Sequence, residues 1–193
     1  MNKYKLIALF GKSGAGKDTI QNWMVSNLED THKLISYTTR PPRSNEIDNK
    51  DYHFISVEEF NYMKEKNLFL ETTEFREWYY GTSIESLNEN KINVGVFNPS
   101  GVKNIWNNFQ NTILIFPIEI WAPNKNRLIR SLTREDNPDC LEICRRFLAD
   151  EKDFDNIDFP FITYPNYDNN NAYTKAFSSE LLKSYFKERV KIN

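Results

Sequence analysis

The chain has 193 residues, with 39% apolar and 27% charged side chains and a formal charge of −2. Those values fit one folded domain able to bury ~70% of its unfolded surface, and they exclude wholesale disorder, collagen-like repeats and coiled coil. They also exclude the bulk basicity of a nucleic-acid binder, and the longest apolar stretch, Thr112–Ala122, is interrupted by Pro117 and Glu119, short of the ~20 residues a membrane span needs.

Taken in chain order, Tyr4–Phe10 is a short apolar run ending at Gly11, which predicts a buried strand and a turn. Lys17–Leu28 predicts a helix with Ile20, Trp23, Met24 and Leu28 on one side. Leu34–Thr39 and Tyr52–Ile55 are short strand candidates. Ser56-Val57-Glu58-Glu59 is a capping box opening a helix to about Asn67, followed by an extended Leu68–Phe75. Thr82-Ser83-Ile84-Glu85 has the same pattern before a helix near Ile84–Glu89. Ile92–Asn98 and Thr112–Trp121 have the apolar, β-branched content of parallel strands, with a helical Gly101–Phe109 between them. Asn124–Arg134 and Leu141–Phe154 are charged helices, Phe159–Tyr164 a last strand, and Ala172–Val190 an amphipathic helix. The alternation predicts an α/β parallel sheet with insertions.

The N-terminus runs into an apolar segment too short for a signal peptide, so a cytoplasmic location is expected. Cys140 and Cys144 match no zinc or disulfide spacing; they are expected to pack, buried, on one helix face. His32 and His53 are too few and isolated for a metal site.

The strongest local signal is Gly11-Lys12-Ser13-Gly14-Ala15-Gly16-Lys17-Asp18-Thr19, between the first strand and the first helix. Its glycines let successive N–H groups turn inward, where they and the helix N-terminus cradle polyphosphate. Lys17 reaches the β- and γ-phosphates of such a ligand. The residue after the lysine, ordinarily a Ser or Thr for Mg²⁺, is Asp18, whose carboxylate is the candidate metal ligand.

Downstream, Ser36-Tyr37-Thr38-Thr39-Arg40-Pro41-Pro42-Arg43 puts two arginines on a proline-stiffened loop, suited to forking onto phosphate oxygens. Tyr52 and Tyr80 offer phenolic donors to the same anion. Glu71, in Phe69-Leu70-Glu71, can accept from two adjacent N–H donors, which guanine presents and adenine does not.

These segments, with Asp51-Tyr52-His53-Phe54, Glu46 and Tyr79-Tyr80-Gly81-Thr82-Ser83, resemble the guanylate kinase family over nearly the whole chain. The resemblance implies a phosphate-loop kinase with a parallel-sheet core (about 1–33, 88–123 and 155–193), an inserted monophosphate-binding subdomain (about 34–87) and a helical lid (about 124–154). It implies ATP-dependent phosphorylation of GMP or dGMP with Mg²⁺, small-molecule nucleotide partners, and a monomer or homodimer. Arg40, Arg43, Tyr52, Tyr80 and Gly81 would take the monophosphate, and Ser36, Glu71, Thr82 and Asn98 the guanine. Residues 11–19 with Arg130 and Arg134 would take ATP. Lys17, Arg40, Arg134 and Arg145 would carry the transition-state charge, Arg145 also touching GMP. Asn166 falls where the family contacts adenine.

The sequence departs from the family pattern where an Asp-x-Asp pair is usual: Val96 and Asn98 stand there, and Asp18 is the expected replacement for the lost charge near the metal. The Gly-Lys-Asp-Thr ending of the loop resembles phage-type deoxynucleotide kinases, which keeps a kinase of broader or shifted base specificity as an alternative. A non-catalytic binding module of the same fold is the alternative from another class. Three windows, Gly11–Lys17, Lys33–Arg43 and Asn124–Arg134, hold nine of the 25 basic residues and none of the 27 acidic ones. The near-neutral total therefore hides positive charge at the places expected to meet phosphate.

Overall fold

The computed structural model describes residues 3–43, 46–75, 77–134, 136–167 and 185–186. Its core is a five-stranded, wholly parallel sheet of β1 (Tyr4–Phe10), β2 (Thr31–Lys33), β7 (Ile92–Val96), β8 (Ile113–Trp121) and β9 (Ile162–Pro165). The spatial order is β2-β7-β1-β8-β9. The central strand β1 is apolar on both faces because both are covered. Ile7 and Leu9 pack with Ile20 and Met24 of α1 (Lys17–Asn27), whereas Leu6, Ala8 and Phe10 pack with Val102 and Ile105 of α3 (Pro99–Phe109). Phe186 and Tyr185 close the first layer, the Tyr185 ring stacking on Phe116 at 3.7 Å.

A second sheet, of order β4-β3-β6-β5, comprises β3 (Tyr37–Thr38), β4 (His53–Phe54), β5 (Phe69–Phe75) and β6 (Trp78–Ser83). β3 runs parallel to β4, and β6 antiparallel to both β3 and β5. A register irregularity between Phe69 and Glu71 brings Glu71 opposite Thr82. Such a slip turns a side chain to a face that strict alternation would deny it. Phe60 of α2 (Val57–Glu65) stacks between Phe69 and Tyr79. α4 (Asn124–Leu132) and α5 (Cys140–Asp153) form the remaining helical pair.

Several boundaries differ from those the sequence predicts. β2 is polar and short, without a readable alternation, while the predicted Leu34–Thr39 strand shrinks to two residues. Ser83, not Thr82, caps the segment after β6, accepting from the Glu85 N–H, and only a single 3₁₀ turn, Ile84–Ser86, follows. Thr82 stays in the strand with its hydroxyl on Glu71. The last strand lies at Ile162–Pro165 rather than Phe159–Tyr164. Cys140 and Cys144 are exposed, correcting the buried packing expected of them: they open α5, whose residues include none that is buried. The predicted helix Ala172–Val190 lies outside the described residues except at 185–186, which are helical.

Candidate active site

In an open α/β sheet ligands bind beyond the carboxyl ends of the strands, and here the chemistry-bearing segments leave those ends. The glycine-rich loop follows β1, Asn98 follows β7, α4 follows β8 and Asn166 follows β9. Gly16 is the N-cap of α1 with φ +92° and offers no side-chain cap, which leaves the helix N-terminus open to an anion. Gly14, at φ +76°, is another residue whose backbone demands glycine: a Cβ there would lie 2.4 Å from the Arg127 carbonyl oxygen.

The carbonyls of the loop are held by side chains, one from the loop itself and three from elsewhere in the chain. Lys17 Nζ donates to the Gly11 oxygen at 2.6 Å and to that of Lys12 at 3.3 Å. Arg127 Nε donates to the Ser13 oxygen at 2.9 Å. Arg130 Nη1 donates to the oxygens of Gly14 and Ala15 at 3.4 and 3.3 Å, and Asn166 Nδ2 to Ala15 at 2.7 Å. An anion nest is built from backbone N–H groups; in this loop the Ser13 N–H donates to Asp150 Oδ2 at 2.7 Å and the Ala15 N–H to the Lys12 carbonyl at 3.1 Å. Arg130 and Asn166, expected on ATP, thus contact the loop backbone. Burial pushes the Lys17 ammonium below its ordinary range, opposed by the charges of Asp18 and Asp150.

Beside the second sheet, Arg40 is buried; its Nη2 donates to both Glu46 carboxylate oxygens at 2.9 and 2.8 Å, and its Nη1 to the Pro41 carbonyl at 2.7 Å. Glu46 also accepts from the Arg43 N–H at 2.9 Å. The Arg40 guanidinium stands 5.6 Å from the Tyr52 ring centre, and Tyr52 meets Tyr80 edge-on at 6.2 Å. Burial raises the Tyr52 phenol far above its ordinary range, with the charge of Asp18 adding to it. Arg43 is held below its ordinary value by burial and by the charges of Arg40, Arg134 and Arg146. Arg40, Arg43, Arg134 and Arg146 therefore share one field. Arg145 forks onto Glu142 at 2.9 and 3.1 Å, and Arg146 Nε donates to the same carboxylate at 2.7 Å.

Ser36, Thr82 and Glu71 form a chain of hydrogen bonds, 3.0 Å between the two hydroxyls and 2.9 Å from Thr82 to Glu71 Oε1. Thr73, absent from the sequence reading, donates to Glu71 Oε2 at 3.4 Å and accepts from Asn98 Nδ2 at 3.1 Å. Asn98 Oδ1 caps α3 through the Gly101 N–H at 2.7 Å, which fixes the amide with its NH₂ toward the Glu71 cluster. Burial raises the Glu71 carboxyl to about 7, against the lowering effect of the Thr82 and Thr73 hydroxyls. Gly81, buried in β6, has no room for a side chain: a Cβ would meet Phe69 at 2.9 Å.

Among the described residues no group of three His, Cys, Asp or Glu could hold a metal alone. Asp18 begins α1 close enough to Lys17 and Tyr52 for its charge to act on both. Its carboxylate thus lies near both the phosphate loop and Tyr52. Such a position suits Mg²⁺, which characteristically binds through one or two carboxylates together with substrate phosphates. Two residues that organise the loop, Arg127 and Asp150, carried no sequence signal: their partner Ser13 lies more than a hundred positions away.

A glycine-rich loop leaving the central strand of a parallel sheet, feeding a helix with an open N-terminus, defines a phosphate-loop nucleotide-binding protein. Residues 3–179 match the sequence model of guanylate kinase. The chain is 37% identical over 182 residues to the guanylate kinase of Wigglesworthia glossinidia brevipalpis, covering 91% of this chain and 86% of that one. It is 38% identical over 136 residues to the guanylate kinase of Prochlorococcus marinus strain MIT 9312, covering 68% and 72%. A crystal structure of guanylate kinase from Anaplasma phagocytophilum superposes with a TM-score of 0.67 at 17% identity, over 96% of this chain and 88% of that one. The chain belongs to the guanylate kinase family. No helix among the described residues is long and apolar enough to cross a membrane.

Proposed function

We propose that the chain transfers the γ-phosphoryl group of ATP to GMP or dGMP, giving the diphosphate and ADP, with Mg²⁺. The observation that carries this reading is the buried Glu71 carboxylate, whose oxygens accept from Thr82 and Thr73. A carboxylate has about four acceptor positions, so two remain for the adjacent N1–H and N2–H of guanine. Adenine has no such pair.

Ser36 and Thr82 orient that carboxylate. Arg40, Arg43, Tyr52 and Tyr80 hold the monophosphate, with Gly81 giving the backbone close approach. The loop 11–19 holds the ATP phosphates, and Lys17 spans their oxygens. Asp18 would hold Mg²⁺ beside them, and the bound ion would neutralise charge on the β- and γ-oxygens. Arg134 and a lid arginine of α5 bring positive charge to the transferring group. Arg145 would be that arginine, exchanging its pair with Glu142 for phosphate oxygens, with Arg146 on the same carboxylate beside it. Phosphoryl transfer needs little covalent help from protein, so positioning and charge suffice. Residues 34–87 act as the monophosphate-binding subdomain and 124–154 as a lid that excludes water.

The test is an ADP-release assay with ATP and each of the eight ribo- and deoxyribonucleoside monophosphates. Turnover on GMP and dGMP alone is expected. A preference for another base would overturn the guanine assignment, and silence on all eight would overturn catalysis itself.

A further inference from the structure

The tip of the phosphate loop is tied on both sides of one residue. The Ser13 N–H donates to Asp150 Oδ2 at 2.7 Å, and the Ser13 carbonyl accepts from Arg127 Nε at 2.9 Å. Arg127 and Asp150 are themselves paired at 2.8 Å. Arg127 is 1% exposed, its ring-facing side 4.5 Å from Phe147 and its third nitrogen on Asn124 at 3.0 Å. Beside it, Lys12 pairs with Glu151 at 2.7 Å. Arg127 comes from α4 and Asp150 from α5, so both lid helices contribute to the same grip.

We propose that Arg127 and Asp150 are positioning residues for phosphoryl transfer: as one ion pair they clamp the backbone of Ser13 and so pre-shape the loop that receives the triphosphate. The physical need lies in the loop's own composition. Gly11, Gly14 and Gly16 all have positive φ, and glycines surrender more backbone freedom on ordering than other residues. A loop left to order itself on the ligand would subtract that cost from affinity. A guanidinium fits the role because it serves a carbonyl and a carboxylate at fixed angles at once, which an ammonium does not. Being paired, the two charges add no net charge next to Lys17. The grip also links loop shape to the pose of α4 and α5, so the lid and the triphosphate pocket are set together.

This inference rests on the loop's binding a triphosphate, and the test separates the two claims. Calorimetry measures the binding of the β,γ-imido analogue of ATP and, separately, of GMP to the wild-type protein, D150N and R127M/D150L. The double variant substitutes apolar side chains of similar size, an exchange that buried ion pairs often tolerate. Thermal unfolding is followed alongside. The expected result is a loss of at least about fivefold in analogue affinity in both variants, with GMP affinity changed less than twofold. The clamp is overturned if folded variants bind the analogue as the wild type does, or lose GMP affinity equally. It is also overturned if D150N binds the analogue more tightly, since the carboxylate would then be competing with phosphate. Should the double variant fail to fold, D150N decides. A wild-type protein that does not bind the analogue refutes the triphosphate assignment itself.

Discussion

Glu71 is an acid whose usefulness depends on being charged in a place that disfavours charge. Its carboxyl is raised from 4.5 to about 7 by burial, so below that pH it is neutral and carries a proton where guanine needs an acceptor. The groups packed on it from β5, β6 and α3 are the hydroxyls of Thr73 and Thr82 and the Asn98–Gly101 cap. The Michaelis constant for GMP should therefore rise about tenfold per pH unit below 7. Glu71→Gln should flatten that profile and raise the constant some 10–100-fold, since a hydrogen bond to a charged group is worth about 1.5–3 kcal/mol. A wild-type profile flat from pH 5.5 to 8 would contradict the assignment. The sign for stability is opposite. With a folded-state value above the unfolded one, the unliganded protein has the full contribution of this group below about 4.5 and loses it as pH rises through about 7, a change of order 3 kcal/mol. Asp18 supplies a second residue-scale expectation. Asp18→Asn should raise the Mg²⁺ concentration for half-maximal activity by about tenfold, read from a metal titration at saturating ATP. An unchanged titration would remove Asp18 from the metal site.

Among elements, the loop and α4 are joined by a contact only glycine permits. Gly14→Ala would place its Cβ 2.4 Å from the Arg127 carbonyl oxygen and 2.9 Å from Ser131 Oγ, at φ +76°. The positive φ alone costs roughly 1–2 kcal/mol, and the clash adds to it by lifting α4. Since ~1 kcal/mol is worth about 2–4 °C at this chain length, the melting temperature should fall by ~5 °C or more. The ATP Michaelis constant should rise while that for GMP holds. A variant with wild-type melting and ATP use would show that α4 does not bear on the loop. The legibility of these elements divides along sequence distance. The strand, loop and helix from Tyr4 to Asn27 could be read because glycine spacing, lysine and apolar periodicity are all local. The Ser56 cap is local too, its hydroxyl accepting from the Glu59 N–H at 3.1 Å. Arg127 looks like any surface arginine until the fold brings Ser13 and Asp150 to it. Thr73 escapes notice because its role needs the β5–β6 register and the α3 cap together. Cys140 and Cys144 do share a helix face, as their spacing implies, but spacing cannot say whether that face meets a core. Thr82-x-x-Glu85 has the letters of a capping box, and the demand of Glu71 for a partner outweighs it.

Over the molecule as a whole, the segregated basic windows converge without ligand only because acids from elsewhere reach into them. Glu46 takes Arg40, Asp150 takes Arg127 and Glu151 takes Lys12. The compensation is partial around Arg43, which pairs with Glu46 at 3.5 Å yet is held down by burial and by Arg40, Arg134 and Arg146. Two bound polyanions would neutralise that field, one from the side of the second sheet and one from the phosphate loop. Each would lower the repulsion against which the other must close the lid, so their binding should be positively coupled, by the 1–3 kcal/mol common between linked sites. Melting curves check this. GMP with the non-transferable ATP analogue should stabilise the protein by more than the sum of the two alone, each being worth about 2.7 kcal/mol at a hundredfold excess over its dissociation constant. The excess should shrink in Arg134→Ala, which removes the lid's share of the field, and it should shrink as salt screens the cluster. Strict additivity at low ionic strength would mean that the two nucleotide sites do not sense each other through these arginines.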